Sequence, residues 1–277
     1  MKTNNKSIYF FLLLIFVLSC EKDRDENSET IEEPSLYSYH YKNMDTPGID
    51  LPTNTDGIIS IEHDSQGRPT KRNGGFVGVP LSSGFECMFS KDIYDEIDYR
   101  NNDIIITQKS VSQPEQLYIY QKHFSLLNGK IVQKATTDIF ADTINDTIQY
   151  YYSGNKLTRS LKKQQRPISE TKYHYNAQGN LDSIVTRRLV YNPVNQQYEP
   201  YSQYPKMRTL EIFKNYDNYA NPTKKLMLFD EIFNRSLSEN NYSRYEKKVF
   251  DIDGNLTLTL TKTWTFSYTN GKIDFTR

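Results

Sequence analysis

Tyr173-His174-Tyr175-Asn176-Ala177-Gln178-Gly179-Asn180-Leu181-Asp182-Ser183-Ile184 is the stretch from which the rest of the chain can be read. Tyr173 and Tyr175 are two positions apart, so on a strand they share one face. Asn176 to Gly179 is a polar turn closing on glycine. Leu181 then opens a return strand whose alternation continues through Ile184 and Thr186. Two alternating runs around such a turn form a β-hairpin.

The pattern recurs with variations. Ile59 to Lys71 turns at Asp64-Ser65-Gln66-Gly67, His123 to Gln133 at Asn128-Gly129, and Tyr150 to Leu157 at Gly154. Ile212 to Lys224 carries alanine, Ala220, where the glycine belongs. Val249 to Leu258 turns at Asp253-Gly254, and Trp264 to Phe275 at Asn270-Gly271. The turns at 67, 129, 154, 179, 220, 254 and 271 keep no single period, which excludes a regular solenoid. The fold class is all-β: an array of consecutive antiparallel β-hairpins forming a large open or curved sheet.

Elsewhere the signals are of different kinds. Leu36 to Tyr41 alternates and reads as the first strand, and a turn at Arg100-Asn101-Asn102 joins strands over 93–94 and 103–109. Asn73 to Gly84 is glycine-rich and reads as an irregular connection. Tyr191 to Pro205 reads as a protruding polar loop. Leu226, Phe229, Phe233 and Leu237 are three or four apart, which predicts one short helix over 226–237. Leu256, Leu258, Leu260, Trp264, Phe266 and Tyr268 fall on one face of a closing strand, with threonines on the other.

The amino terminus carries an address. Lys2 and Lys6 precede an apolar run, Ile8 to Leu18, that is too short to span a bilayer and has the form of a secretory signal. Val17-Leu18-Ser19-Cys20 resembles the lipobox of bacterial lipoproteins, which implies cleavage before Cys20 and lipidation of it. Several acyl chains on one residue anchor a protein stably to a membrane. Glu21 to Glu33 is dominated by acids with a single aliphatic, Ile31, and cannot offset its own ordering cost, so it reads as a solvated tether. Lys22-Asp23 and the acids after it resemble the surface-export signal of lipoproteins displayed on Gram-negative outer membranes. The expected organisation is a signal peptide over 1–19, a lipidated cysteine and tether over 20–35, and a hairpin domain over 36–277. Within that domain, 36–116 is the irregular part and 117–277 the main array.

The units 173–181 and Asn215 to Thr223 resemble YD repeats of the Rhs type, and the chain resembles surface lipoproteins with degenerate copies of them. The resemblance covers 58–71 and 118–277. In long proteins of that kind, such hairpins coil into a hollow shell around a cargo. Size argues against a shell here: about 14 strands at roughly 4.8 Å would close into a cylinder only about 21 Å across, which side chains would fill.

Composition narrows the partners. Lysine plus arginine and aspartate plus glutamate are equal at 34 each, and no basic cluster stands out, so nucleic acid is not an expected partner. With Cys20 lipidated, Cys87 has no partner for a disulfide and reads as a small buried residue. The aromatic class is dominated by tyrosine, 22 against 14 phenylalanines and one tryptophan, which suits sheets with one wet face.

No catalytic or cofactor motif is visible. His40, His63, His123 and His174 are far apart, no Cys-x-x-Cys occurs, and no phosphate- or dinucleotide-binding fingerprint is present, so no metal and no cofactor are expected. Asp251 to Asn255 fails as a calcium loop, because Val249 and Leu260 would occupy its terminal ligand positions. Asp92, Asp95, Glu96 and Asp98 could act on a glycosidic bond if two of them met in a cleft, but a solvated strand face accounts for them. Tyr191, Tyr198, Tyr201 and Tyr204 sit where packing explains them least, and exposed rings are stacking platforms for sugars. The leading expectation is a non-enzymatic, cell-surface, outer-membrane lipoprotein, held to the membrane through Cys20, that binds glycan or a surface protein. The alternatives are a glycan-processing enzyme with carboxylates from distant strands and a structural subunit of a surface complex.

Overall fold

The turn at Asn176 shows how the sequence builds the sheet. In the computed structural model, the Asn176 side-chain oxygen accepts from the backbone N–H groups of Gln178 and Asn180, both at 3.0 Å, and Gly179 N–H donates to Asn176 O. Gly179 sits at φ 88°, a conformation that costs a side chain about 1–2 kcal/mol. The same device recurs at Asp64, which accepts from Gln66 and Arg68 at 2.9 Å. It recurs again at Asp251, which accepts from Asp253 and Asn255. A short acceptor side chain thus pins each of these three turns.

The described residues are 35–44, 57–81, 84–112, 120–138, 143–164, 167–200, 206–270 and 272–276, all within a compact unit, Pro34–Arg277. Cys20, Tyr201 and Tyr204 lie outside them, as does the Cys87 side chain. The strands in order are β1 (Ser38–His40), β2 (Ile58–His63), β3 (Pro69–Leu81), β4 (Gly84–Arg100), β5 (Asp103–Ser110) and β6 (Tyr120–Leu127). Then come β7 (Lys130–Asp138), β8 (Thr143–Ser153), β9 (Lys156–Lys163), β10 (Pro167–Tyr175) and β11 (Leu181–Asn192). The last are β12 (Gln197–Pro200), β13 (Arg208–Tyr216), β14 (Tyr242–Phe250), β15 (Leu256–Thr263), β16 (Ser267–Thr269) and β17 (Lys272–Asp274). β1 to β15 form one antiparallel sheet of 15 strands in chain order, with β12 pairing off the end of β11; β16 and β17 form a separate hairpin.

The sheet is open: its end strands, β1 and β15, do not pair. They are nevertheless tied by other contacts. Lys262 Nζ on β15 donates to Met44 O at 2.9 Å. His40 N and Asn43 Nδ2 both donate to Phe275 O, just past β17. One face is buried along its length by Ile59, Ile97, Ile106, Phe124, Tyr150, Tyr173, Ile184 and Phe213.

What buries that face is the segment between β13 and β14, and here the sequence reading needs correction. No hairpin forms at Ala220. Asp217 N–H donates instead to Asn241 O, and Asp217 Oδ1 accepts from Asn241 N at 3.0 Å, closing a long excursion where a glycine would have closed a tight turn. The predicted helix over 226–237 shrinks to α1 (Phe233–Ser236), preceded by a 3-10 turn at Lys224–Leu226. Phe229 N–H donates to Leu226 O and Ile232 N–H to Phe229 O, so successive i→i+3 bonds set a period of three. Leu226, Phe229 and Ile232 are almost wholly buried as a result.

Three further expectations change. Asn73 to Leu81 and Gly84 belong to the long β3–β4 ladder, with one irregularity between Asn73 and Gly75, and a Cβ on Gly75 would stand 2.8 Å from Ile93 Cδ1. Tyr191 to Pro205 is not simply a loop, because 191–200 forms a β11–β12 ribbon. Leu256, Leu258 and Leu260 do not share the core with Trp264. They are 53%, 44% and 37% exposed on an edge strand, whereas Trp264, past the end of β15, is buried.

Candidate functional site

The ribbon is the most exposed aromatic feature that the sequence singled out. Leu189, Val190, Tyr191 and Asn192 pair with Pro200, Glu199, Tyr198 and Gln197. Tyr191 and Tyr198 are directly opposite one another, with ring centroids 5.2 Å apart. Such cross-strand aromatic pairs contribute roughly 0.2–1 kcal/mol each. They stay exposed all the same, at 49% and 36%. Glu199 accepts from Asn192 and Asn195, and Asn195 Oδ1 accepts from Gln197 N–H, so the turn between the tyrosines is pinned by polar side chains. Tyr201 and Tyr204, the other two candidates, lie outside the described residues.

The acidic candidates are not brought together. Alternation along β4 sends Asp95 to the buried face with Ile93 and Ile97, while Glu96 and Asp98 face solvent and pair with Lys109 and Arg100. Asp92 accepts from Ser110 and Ser112. Among the described residues no group of three His, Cys, Asp or Glu side chains is placed to hold a metal ion.

Asp95 instead joins a buried network that sequence spacing did not reveal. Arg72 on β3 reaches Asp95 Oδ2 at 3.2 Å and Glu231 Oε1 at 2.6 Å. Arg72 Nε also donates to Tyr39 Oη at 3.1 Å, and Tyr39 donates to the same Glu231 oxygen. Tyr120 and Gln108 complete the shell by donating to Asp95. Burial by itself would raise the Glu231 carboxyl, but Arg72 and the Tyr39 hydroxyl outweigh it and hold the group below the ordinary glutamate value. Next to it, Asp230 takes Lys122 at 3.0 Å and Lys134 at 2.6 Å. Arg235 is fully buried, its guanidinium 4.1 Å from the Tyr242 ring centroid and 4.9 Å from that of Trp264.

One buried carboxylate lies apart from these cations. Glu211 on β13 accepts from Tyr245 at 2.8 Å. Burial pushes its carboxyl above the ordinary value, with the Tyr245 bond opposing that shift. Arg72, Lys122 and Lys134 on the sheet meet Glu231 and Asp230 of the β13–β14 segment and fix it there, across strands distant in sequence. No spacing rule reports such pairs, and the only available signal was charged residues at inward positions of alternating strands.

No protein-family model and no curated protein matches the sequence. Among solved structures, a porin-like protein from Bacteroides uniformis is 12% identical over 86% of this chain and 92% of that chain, with a TM-score of 0.45. A porin-like protein from Bacteroides vulgatus is 11% identical over 87% and 90%, with a TM-score of 0.47. The Tc holotoxin pore of Photorhabdus luminescens is 12% identical over 76% of this chain but 9% of that chain, with a TM-score of 0.23. Likeness at this level carries no functional argument.

Proposed function

We propose that the protein is a lipid-anchored, cell-surface binding module without catalytic activity, and that the Tyr191–Tyr198 ribbon contacts a glycan. The observation that carries this reading is the paired, half-exposed tyrosines, an aromatic surface that the protein's own packing covers only in part. The inward carboxylates support it from the other side. Asp95 and Glu231 are both engaged by Arg72, and Glu211 is held by a tyrosine hydroxyl on a buried face. The signal-like amino terminus and Cys20 support the surface location. The test is binding of the full chain, in detergent micelles, to an array of polysaccharides, with the bound glycans checked for cleavage. Retention without products supports the module, and cleavage products overturn it.

A further inference from the structure

The solvent face of β10–β11 holds a depression of about 160 Å³ lined by Glu170, Lys172, His174, Val185 and Arg187. Register explains how it is built. Lys172 lies opposite Val185 and Glu170 opposite Arg187, so these side chains share the face turned away from the buried Tyr173 and Ile184.

The charges within it are unevenly committed. Glu170 gives one oxygen to Arg159 Nε at 2.7 Å and the other to Lys172 at 3.7 Å. Among the described residues, Arg187 has no carboxylate partner, and its buried Nε has no hydrogen-bond partner. A guanidinium, an ammonium and an imidazole therefore border one concavity containing a single carboxylate that is already engaged by two cations. A planar guanidinium presents paired donors that match a carboxylate or phosphate.

The depression also lines up with the ribbon. Val185, Arg187, Leu189 and Tyr191 occupy alternate positions on β11, with Leu189 buried between the depression and the ribbon, and four residues of strand cover about 13 Å.

We infer that this depression is an anion subsite, holding the carboxylate or phosphate of an acidic glycan whose sugar ring rests on Tyr191 and Tyr198. The inference rests on the proposed glycan-binding role and adds the charge class of the ligand. The neutral ring meets the aromatic pair, and the oxyanion, further along the same strand, meets Arg187 with Lys172 and His174 beside it.

The test follows the His174 imidazole protons by NMR in the full chain in detergent micelles, with His174→Gln assigning the signal. The probes are inorganic phosphate, galacturonate, tetragalacturonate, its neutral methyl ester and a phosphorylated mannan fragment. Saturable shifts of His174 with phosphate or galacturonate, lost in Arg187→Gln, support the subsite. Tetragalacturonate or phosphomannan binding that weakens about tenfold or more in Arg187→Gln, with the methyl ester unchanged, supports the acidic-glycan class and identifies which oxyanion is preferred. No anion-dependent shift of His174, or equal affinity of wild type and Arg187→Gln for the acidic glycan, overturns the inference. Anion binding at His174 without binding of any glycan leaves the subsite standing and overturns the glycan reading. Melting temperatures of the variants, compared with wild type, separate these results from loss of fold.

Discussion

Arg72 is the residue on which the buried face depends most. Its guanidinium meets Asp95 and Glu231, the latter 159 positions away in sequence, and all three side chains are nearly inaccessible. Removing one partner of a buried ion pair strands the others, so Arg72→Ala should lower stability by about 3–5 kcal/mol, read from urea unfolding. A loss under 1 kcal/mol would show that the network does not tie the β13–β14 segment to the sheet. Glu211 gives a prediction of opposite sense. Its carboxyl is raised by burial, so the unfolded chain loses that proton first as pH rises. The folded state is then penalised progressively from the ordinary glutamate value up to the raised one, and by a constant amount above it. Glu211→Gln should therefore stabilise the protein at neutral pH, keep the Tyr245 bond, and have no effect at pH 3. Melting temperatures across pH would check this, and a gain only at acidic pH would contradict it. Neither Arg72 nor Glu211 was legible in the sequence, because each read as an ordinary polar member of a strand. Their inward orientation follows from register, but their partners follow only from the three-dimensional path of the β13–β14 segment.

At the scale of the element, the turns were legible and the long excursion was not. Asn176, Asp64 and Asp251 each stand three residues before a glycine, and each folds back on its own backbone. This local chemistry needs no knowledge of the rest of the molecule, which is why these hairpins could be read directly. Gly179→Ala should cost about 1–2 kcal/mol in unfolding free energy, since alanine would be held in the left-handed region. Its Cβ would also press on Glu239 Cγ at 2.9 Å. An unchanged stability would mean that the turn adjusts freely. At Ala220 the same motif lacks its glycine, and the chain departs from the hairpin plan there. Hydrophobic spacing over 226–237 found Leu226 and Phe229 but passed over the buried Leu228 and Ile232, while Phe233 and Leu237 are only partly buried; the three-residue period belonged to 3-10 turns and only four residues became α-helix. Polar anchors interrupt it: Asn221 donates to Arg235 O and Ser238 O, and Ser238 Oγ accepts from Leu181 N–H. The Asn221 bonds close the excursion on itself, and the Ser238 bond ties it to the start of β11.

For the molecule as a whole, the sheet, the β13–β14 segment and the β16–β17 hairpin meet around Trp264. Its ring lies 5.9 Å from Tyr242, and it stacks with Phe266, which in turn contacts Phe275. As the one tryptophan in the chain, it reports on that junction alone. If the parts form one cooperative unit, tryptophan fluorescence and far-UV circular dichroism will give coincident urea transitions. A fluorescence transition at clearly lower urea would show the junction opening before the sheet. The same packing bears on function, since the buried face is occupied by the protein's own segment and a ligand is left with the solvent face. The measurement that bears most directly on that reading is glycan binding by wild type and by Tyr191→Ala and Tyr198→Ala, in parallel with assay for cleavage. The account predicts binding without cleavage by wild type, weakened roughly tenfold or more in each variant with the melting temperature unchanged. Glycan binding that survives both substitutions intact, or release of cleaved glycan, would contradict it.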